Sequence, residues 1–243
     1  MKLVEHFLTN NPCYTKNRKI TVKGLMLHSV GCPQPKASVF LSSWNKSTYN
    51  AACVHAFIDG NDGTVYQTLP WDHRGWHCGA SGNNTHIGVE MCEPDCIRYA
   101  SGSSFACWNK PAAQACAKRT YDAAVELFAY LCEKYSLDPM KDGVILSHKE
   151  GSKRGIASNH GDPEHLWSGL ELPYTMDTFR REVQKKMAKN TDNTPATWAK
   201  DGVDWAIRNG LLQGDANGDL MLHSNVTREQ MCVLLYRLRE VLK

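Results

Sequence analysis

Residues 19–30 read KITVKGLMLHSV. The stretch begins with polar and apolar residues in alternation and closes in Leu25-Met26-Leu27, an unbroken apolar run of the kind a strand carries when both of its faces are covered. Such a strand needs helices above and below it, so the segment predicts the interior of a sheet in a layered domain. The run stops at His28, where a polar ring takes over from the core.

Four further segments fit the same sheet. AACVHAFID (51–59) and NDGTVYQTL (61–69), joined through Asp62-Gly63, predict a hairpin. HIGVEMCE (86–93) and GVILSH (143–148) are two more short apolar runs. Between them PAAQACAKRTYDAAVELFAYLCEKYS (111–136) spaces its apolar residues at three and four, the helical interval, until Leu137-Asp138-Pro139 ends it. The alternation predicts an α/β fold, a mixed central β-sheet flanked by helices.

AKNTDNTPAT (188–197) is polar, lacks apolar periodicity and holds a proline, so it reads as a linker between a domain over 1–187 and a module over 198–243. The module carries two helical periods, 198–209 and 227–242, and is expected to be all-α. Thr227 followed by Glu229-Gln230 marks the start of the second helix, whose Met231, Leu234, Leu235 and Leu238 form an apolar stripe. Asp215 to Asp219 hints at a calcium loop, but its glycine comes early and no glutamate closes it, which argues against calcium.

Composition narrows the function classes. With 42% hydrophobic and 22% charged residues the 243-residue chain is globular, and a net charge of +3 is too even for a nucleic-acid surface. No apolar run approaches the roughly 20 residues of a membrane span. The N-terminus, MKLVEHFLTNNPC, does not read as a secretory signal, so synthesis in the cytoplasm is expected. Ten cysteines without CxxC spacing are expected to be mostly free, buried thiols rather than a zinc cluster.

His28 ends one predicted strand and His148 another. Each is by itself consistent with a hydrogen-bonded structural histidine. Together, on neighbouring strands, they would emerge on one rim of the sheet, and the loop GIASNHGDPEHLW (155–167) would bring up the carboxylate of Asp162. Two imidazoles and one carboxylate suit a catalytic zinc ion that keeps a fourth position for water, whose chemistry is hydrolysis of an amide or ester. Spacing does not choose among the ten histidines.

Five stretches in order, LMLHSVG, AFIDGNDGTVYQTLP, RGWHCGASGNNTHIGVEMCE, ILSHKEG and SNHGDPEHLW, resemble the zinc-dependent N-acetylmuramoyl-L-alanine amidases of the type-2 amidase and peptidoglycan-recognition-protein superfamily. The resemblance spans about residues 15–167. It implies a single catalytic Zn2+ held by His28, His148 and Asp162, with peptidoglycan as substrate. It places Glu90 at an acidic catalytic position; read alone, Glu90 is either that or a charge on a solvated strand face. His160 stands where many relatives have lysine and would stabilise the developing oxyanion. His77 and Asn84 match groove-wall positions, read either as substrate contacts or as loop scaffold. His165 is expected to pack with Trp167, and His55 to face either the metal pocket or the core.

The C-terminal segment resembles an S-layer-homology module, through Trp198, Gly210, Gly214 and Thr227-Arg228-Glu229. That resemblance implies attachment to a secondary cell-wall polymer; docking on a partner and self-association as a homo-oligomer are the alternatives. The expected function is cell-wall lysis by a phage or prophage endolysin or a bacterial autolysin, acting on the wall after release. The alternative is a non-catalytic peptidoglycan-binding protein on the same fold.

Overall fold

The computed structural model describes residues 1–190, 193–214 and 218–242. The chain divides into two compact units, Met1–Gln184 and Lys185–Lys243, each described here by itself.

The first unit is built on β1 (Leu3–Glu5), β2 (Gly24–Ser29), β3 (Ala56–Ile58), β4 (Val65–Gln67), β5 (His86–Met91) and β8 (Ile145–Ser147), in the spatial order β1-β4-β3-β5-β2-β8. Within this sheet β3 and β4 pair antiparallel, as the Asp62-Gly63 hairpin requires, and the other strand pairings are parallel. Every residue of β2 is buried, as its apolar run predicts. The sheet grows outward from β2 in both directions, and the crevice beyond the carboxyl ends of strands at such a branch point is where open α/β sheets bind ligands.

Side chains alternate along a strand, so Met26 and His28 share one face of β2 while Leu25 and Leu27 share the other. Met26 packs with Cys78 and Leu146. The long helix α3 (Lys110–Tyr135) starts where Asn109 Oδ1 accepts the Ala112 N–H and Pro111 occupies the first turn, and it ends at Ser136 in the left-handed region. Its buried Ala113, Ala117 and Ala124 let it lie close to its neighbours. Tyr121 and Phe128 meet Phe179 edge-on at 5.5 and 5.1 Å, which ties α3 to α6 (Met176–Asn190).

Several elements differ from the sequence expectation. The strand after α3 stops at Ser147, not at His148, because the Ser147 hydroxyl accepts the Glu150 N–H and the Glu150 carboxylate accepts the Ser147 N–H. This capping box turns the chain into α4 (His148–Lys153), so His148 opens a helix. The edge strand β1 and the separate hairpin of β6 (Ile97–Ser101) and β7 (Ser104–Cys107) were not anticipated; both are short and mostly exposed, without an apolar run to signal them. Short helices α1 (Pro12–Thr15), α2 (Ala37–Trp44) and α5 (Glu164–Gly169) complete the unit. All ten cysteines are free thiols.

Helix α6 runs on to Asn190, so 188–190 continue a helix rather than opening the expected linker; 191–192 lie outside the described residues. In the second unit α7 (Lys200–Arg208) and α8 (Arg228–Val241) occupy the two helical periods, and Thr227 with Gln230 forms the capping box of α8. The residues 215–217 of the calcium-like stretch lie outside the described residues. No helix among the described residues is long and apolar enough to cross a membrane.

Candidate metal centre

His28 comes from the end of β2, His148 from the first turn of α4 and Asp162 from the loop before α5. Their ligand atoms lie within 4.8 Å of one another, and all three residues are buried. His28 Nδ1 is 3.0 Å from His148 Nδ1 and 3.3 Å from Asp162 Oδ2, and His148 Nδ1 is 3.6 Å from Asp162 Oδ1. Ligands held about 2.0–2.1 Å from a tetrahedral ion lie roughly 3.3 Å apart, so these separations match such a donor set.

The hydrogen bonds fix which nitrogen of His28 is bare. The His86 carbonyl can only accept, so His77 Nε2–H donates to it at 3.0 Å. That leaves His77 Nδ1 as the acceptor for His28 Nε2–H, also at 3.0 Å, and His28 presents an unprotonated Nδ1 toward His148 and Asp162. Burial holds the His77 imidazole well below its ordinary pKa, which keeps it neutral for this role. On the other side His148 Nε2 meets Ser158 Oγ at 3.1 Å, and Ser158 Oγ meets His160 Nδ1 at 3.0 Å. Burial and the neighbouring His28 lower the His148 pKa to about 4, leaving a neutral ligand. Burial works against ionisation of Asp162, but its contacts with His28 and His148 outweigh it, and its carboxyl sits below the usual value. The donor set therefore fits a divalent transition metal: two neutral imidazoles and one carboxylate, each oriented by a further partner.

Glu90 sits on β5 in register with His28, on the same face of the sheet. Its Oε2 is buried without a hydrogen-bond partner. Burial, then the charges of Asp162 and Glu93, push its carboxyl well above the usual value, which raises its affinity for a proton. A groove of about 950 Å³ opens over these residues, with Glu90, His148, His160 and Asp162 in its lining and the half-exposed Trp76 at its edge.

A family model described as N-acetylmuramoyl-L-alanine amidase (Amidase_2) matches residues 17–165, over half of the chain, a span that includes His28, Glu90, His148 and Asp162. The chain belongs to this amidase family. A bifunctional autolysin of Staphylococcus aureus (strain NCTC 8325 / PS 47) is 27% identical over 230 residues, which are 89% of this chain and 17% of the relative. The same protein of strain MSSA476 is 25% identical over 229 residues, 87% of this chain and 17% of the relative. The chain thus spans 17% of the length of these curated relatives. Among solved structures, the Staphylococcus aureus hydrolase AmiA in complex with its ligand has a TM-score of 0.57 at 22% identity, over 84% of this chain and 86% of that one. The catalytic domain of XlyA has a TM-score of 0.51 at 21% identity, over 75% and 99%. At such identities the likeness bears on the fold.

Within this amidase-family chain the sequence-predicted residues separate into those the structure gathers and those it does not. His28, His148, Asp162, Glu90 and His160 come together around one point of the groove floor. His77 lines the groove, and both of its ring nitrogens are engaged, by His28 and by the His86 carbonyl. Asn84 points elsewhere, accepting the Arg74 Nε–H at 2.6 Å outside the groove lining. Its neighbour Asn83 is the scaffold residue, with Oδ1 accepting the backbone N–H of His77 and of Cys78 at 2.8 and 3.1 Å. His55 is core: it bonds the His73 carbonyl and accepts the Gly88 N–H, so it does not face the metal.

Two groove-lining residues, His165 and Tyr99, meet on one wall. His165 turns to Tyr99 rather than Trp167, with Nε2 2.7 Å from the phenol oxygen. The Tyr99 O–H donates to Glu93 at 2.7 Å, and Glu93 is fully buried, its carboxyl raised to about 7 by that burial. Tyr99 arrives on the exposed β6–β7 hairpin, which sequence periodicity did not mark.

Proposed function

We propose that this chain is a zinc-dependent hydrolase of the amide bond between N-acetylmuramic acid and L-alanine in peptidoglycan. The convergence of His28 Nδ1, His148 Nδ1 and the Asp162 carboxylate beside the unpartnered Glu90 Oε2 carries the reading. A zinc ion held there would supply Lewis acidity, lowering the pKa of an attacking water to about 7 and polarising the scissile carbonyl.

The protein's own groups do the rest. Glu90 takes the proton of the attacking water on its carboxylate and passes it to the departing nitrogen of L-alanine, a transfer suited to a carboxyl whose proton affinity burial has raised. His160 donates from Nε2 to the carbonyl oxygen as negative charge gathers there, with Ser158 O–H directed at Nδ1 to hold that tautomer. Trp76, with the Arg74 guanidinium 5.3 Å from its ring, offers the groove edge a face for an acetylated sugar. Tyr99 and His165 close the opposite wall.

The second unit, through its resemblance to an S-layer-homology module and the exposed apolar side chains of α8, is proposed to hold the enzyme on a secondary cell-wall polymer. Self-association through that helix is the alternative. The test is mass spectrometry of purified peptidoglycan after digestion, with and without a zinc chelator. Chelator-sensitive release of stem peptides beginning at L-alanine, with glycan strands intact, is expected. Binding without new termini would instead support a non-catalytic receptor, and cleavage elsewhere in the stem would overturn the choice of bond.

A further inference from the structure

Two hydrogen bonds tie the helix that carries His148 to the loop that carries Asp162. One joins backbone to backbone, the Lys149 N–H donating to the Asp162 carbonyl at 3.3 Å. The other joins side chains, the Ser147 O–H donating to Glu164 Oε1 at 2.8 Å. Ser147 immediately precedes one ligand and Glu164 follows the other by two residues, so this pair brackets both.

The Ser147 hydroxyl has a single hydrogen to give. Its oxygen accepts the Glu150 N–H at 3.0 Å as the cap of α4, and its hydrogen goes to Glu164. Ser147 is fully buried, so water does not compete for either bond. The same corner is held from the other side by α6. Arg180 donates from Nε to the Ile145 carbonyl at 3.0 Å and from Nη2 to Glu150 Oε2, which also accepts the Ser147 N–H at 3.1 Å. Arg180 is itself anchored, because Phe179 and Val183 of its helix lie in the core. This clamp fixes β8 to α4, and Glu164 carries the constraint on to the Asp162 loop.

A buried polar group with few partners is unfavourable for folding. Glu164 leaves its second oxygen, Oε2, buried without a hydrogen-bond partner, and it lies outside the groove lining. Placement is what its bond to Ser147 supplies. Metal ligands have to be held within about 0.5 Å of their working geometry by the residues behind them, and a backbone bond of 3.3 Å is a loose tie.

We propose that Glu164 is a positioning residue of the metal centre: by holding the Ser147 hydroxyl it fixes the separation of His148 from Asp162, and with it the affinity for the ion. The proposal rests on the zinc reading given above. The full-length protein, stripped of metal and returned to chelator-free buffer, is titrated with zinc in competition with a chromophoric chelator. Glu164→Ala is expected to weaken zinc binding by about 10-fold, whereas Glu164→Gln, which still accepts the Ser147 O–H, is expected to bind as the unsubstituted protein does. With Co2+ in place of zinc, the visible spectrum reports ligand geometry; it is expected to change in Glu164→Ala and to stay the same in Glu164→Gln. Adding Glu164→Ala to Ser147→Ala is expected to cost nothing further, because both act through one bond.

His28→Ala keeps the two readings apart. If it binds zinc as tightly as the unsubstituted protein, the metal reading itself fails and this proposal falls with it. Loss of zinc in His28→Ala with unchanged affinity in Glu164→Ala would overturn the positioning role alone. Equal losses in Glu164→Gln and Glu164→Ala, or additive losses with Ser147→Ala, would overturn it as well.

Discussion

His28 and Glu90 stand opposite each other in the parallel pairing of β2 with β5, so a metal-type ligand and a carboxyl of raised proton affinity leave the same face of the sheet at the same height. Their relative position is set by backbone hydrogen bonds in the most buried part of the unit, not by loops. Glu90→Gln keeps the shape and removes only the titration. It is expected to lower kcat by about 10²–10⁴-fold, the usual worth of a general acid–base, with zinc content unchanged. Muropeptide release and elemental analysis on the same preparation check both halves; loss of zinc along with activity would assign Glu90 to the metal instead.

The ligands and Glu90 were legible in the sequence because each sits where an apolar strand or a crowded loop places a polar group against its surroundings. His28 interrupts LMLHS, Glu90 interrupts IGVEM, and Asp162 precedes a proline. What stayed hidden depends on pairing in three dimensions. His77 and Asn84 lie in the same motif-rich loop, yet only the fold reveals that one ring is spent on two hydrogen bonds and that the other side chain is turned to Arg74. Tyr99 reaches the groove from a short exposed hairpin whose residues have no core to declare. The Ser147 capping box, which converts a strand end into the helix start that carries His148, rests on a side-chain geometry that apolar periodicity does not record.

His77 acts on the metal through His28, and its effect is therefore expected on metal affinity. His77→Ala is expected to weaken zinc binding by about 10–100-fold, with KM little changed once zinc is saturating. Competition against a chromophoric chelator gives the affinity directly. A raised KM at saturating zinc would instead support a substrate contact by His77.

Gly88 gives an independent route to the same ring. A Cβ there would lie 2.3 Å from His77 Cγ, so the imidazole rests directly on the backbone of β5. Gly88→Ala is expected to displace His77 and so reproduce the loss of zinc affinity while every ligand remains in the sequence. If zinc affinity were unchanged in a folded Gly88→Ala protein, the His86–His77–His28 chain of hydrogen bonds would not be what orients His28.

His160 lies beside the metal centre without belonging to it, its ring centroid 4.5 Å from that of His148. His160→Ala is expected to cut kcat by about 10²–10³-fold, the scale of a lost oxyanion donor, with zinc retained. Ser158→Ala is expected to act in the same direction more weakly, because it frees the His160 tautomer without removing the ring. Single-turnover rates at saturating zinc separate these effects from metal loss.

Glu93 makes stability itself depend on pH. Its carboxyl titrates at about 7 in the folded protein against a reference of 4.5, because burial favours the neutral form. Between those values the unfolded chain has lost its proton while the folded chain keeps it, so stability falls as pH rises, by about 3 kcal/mol across the window. Below pH 4.5 and above 7 this contribution is flat. Glu93→Gln cannot ionise and can still accept the Tyr99 O–H. Its melting temperature, compared with that of the unsubstituted protein in chelator, is expected to gain roughly 5–10 °C in relative terms between pH 4.5 and 8. A difference that does not change with pH would mean that Glu93 is already ionised in the fold, and that Tyr99 and the Gly31 N–H, 3.0 Å from its Oε1, overcome the burial.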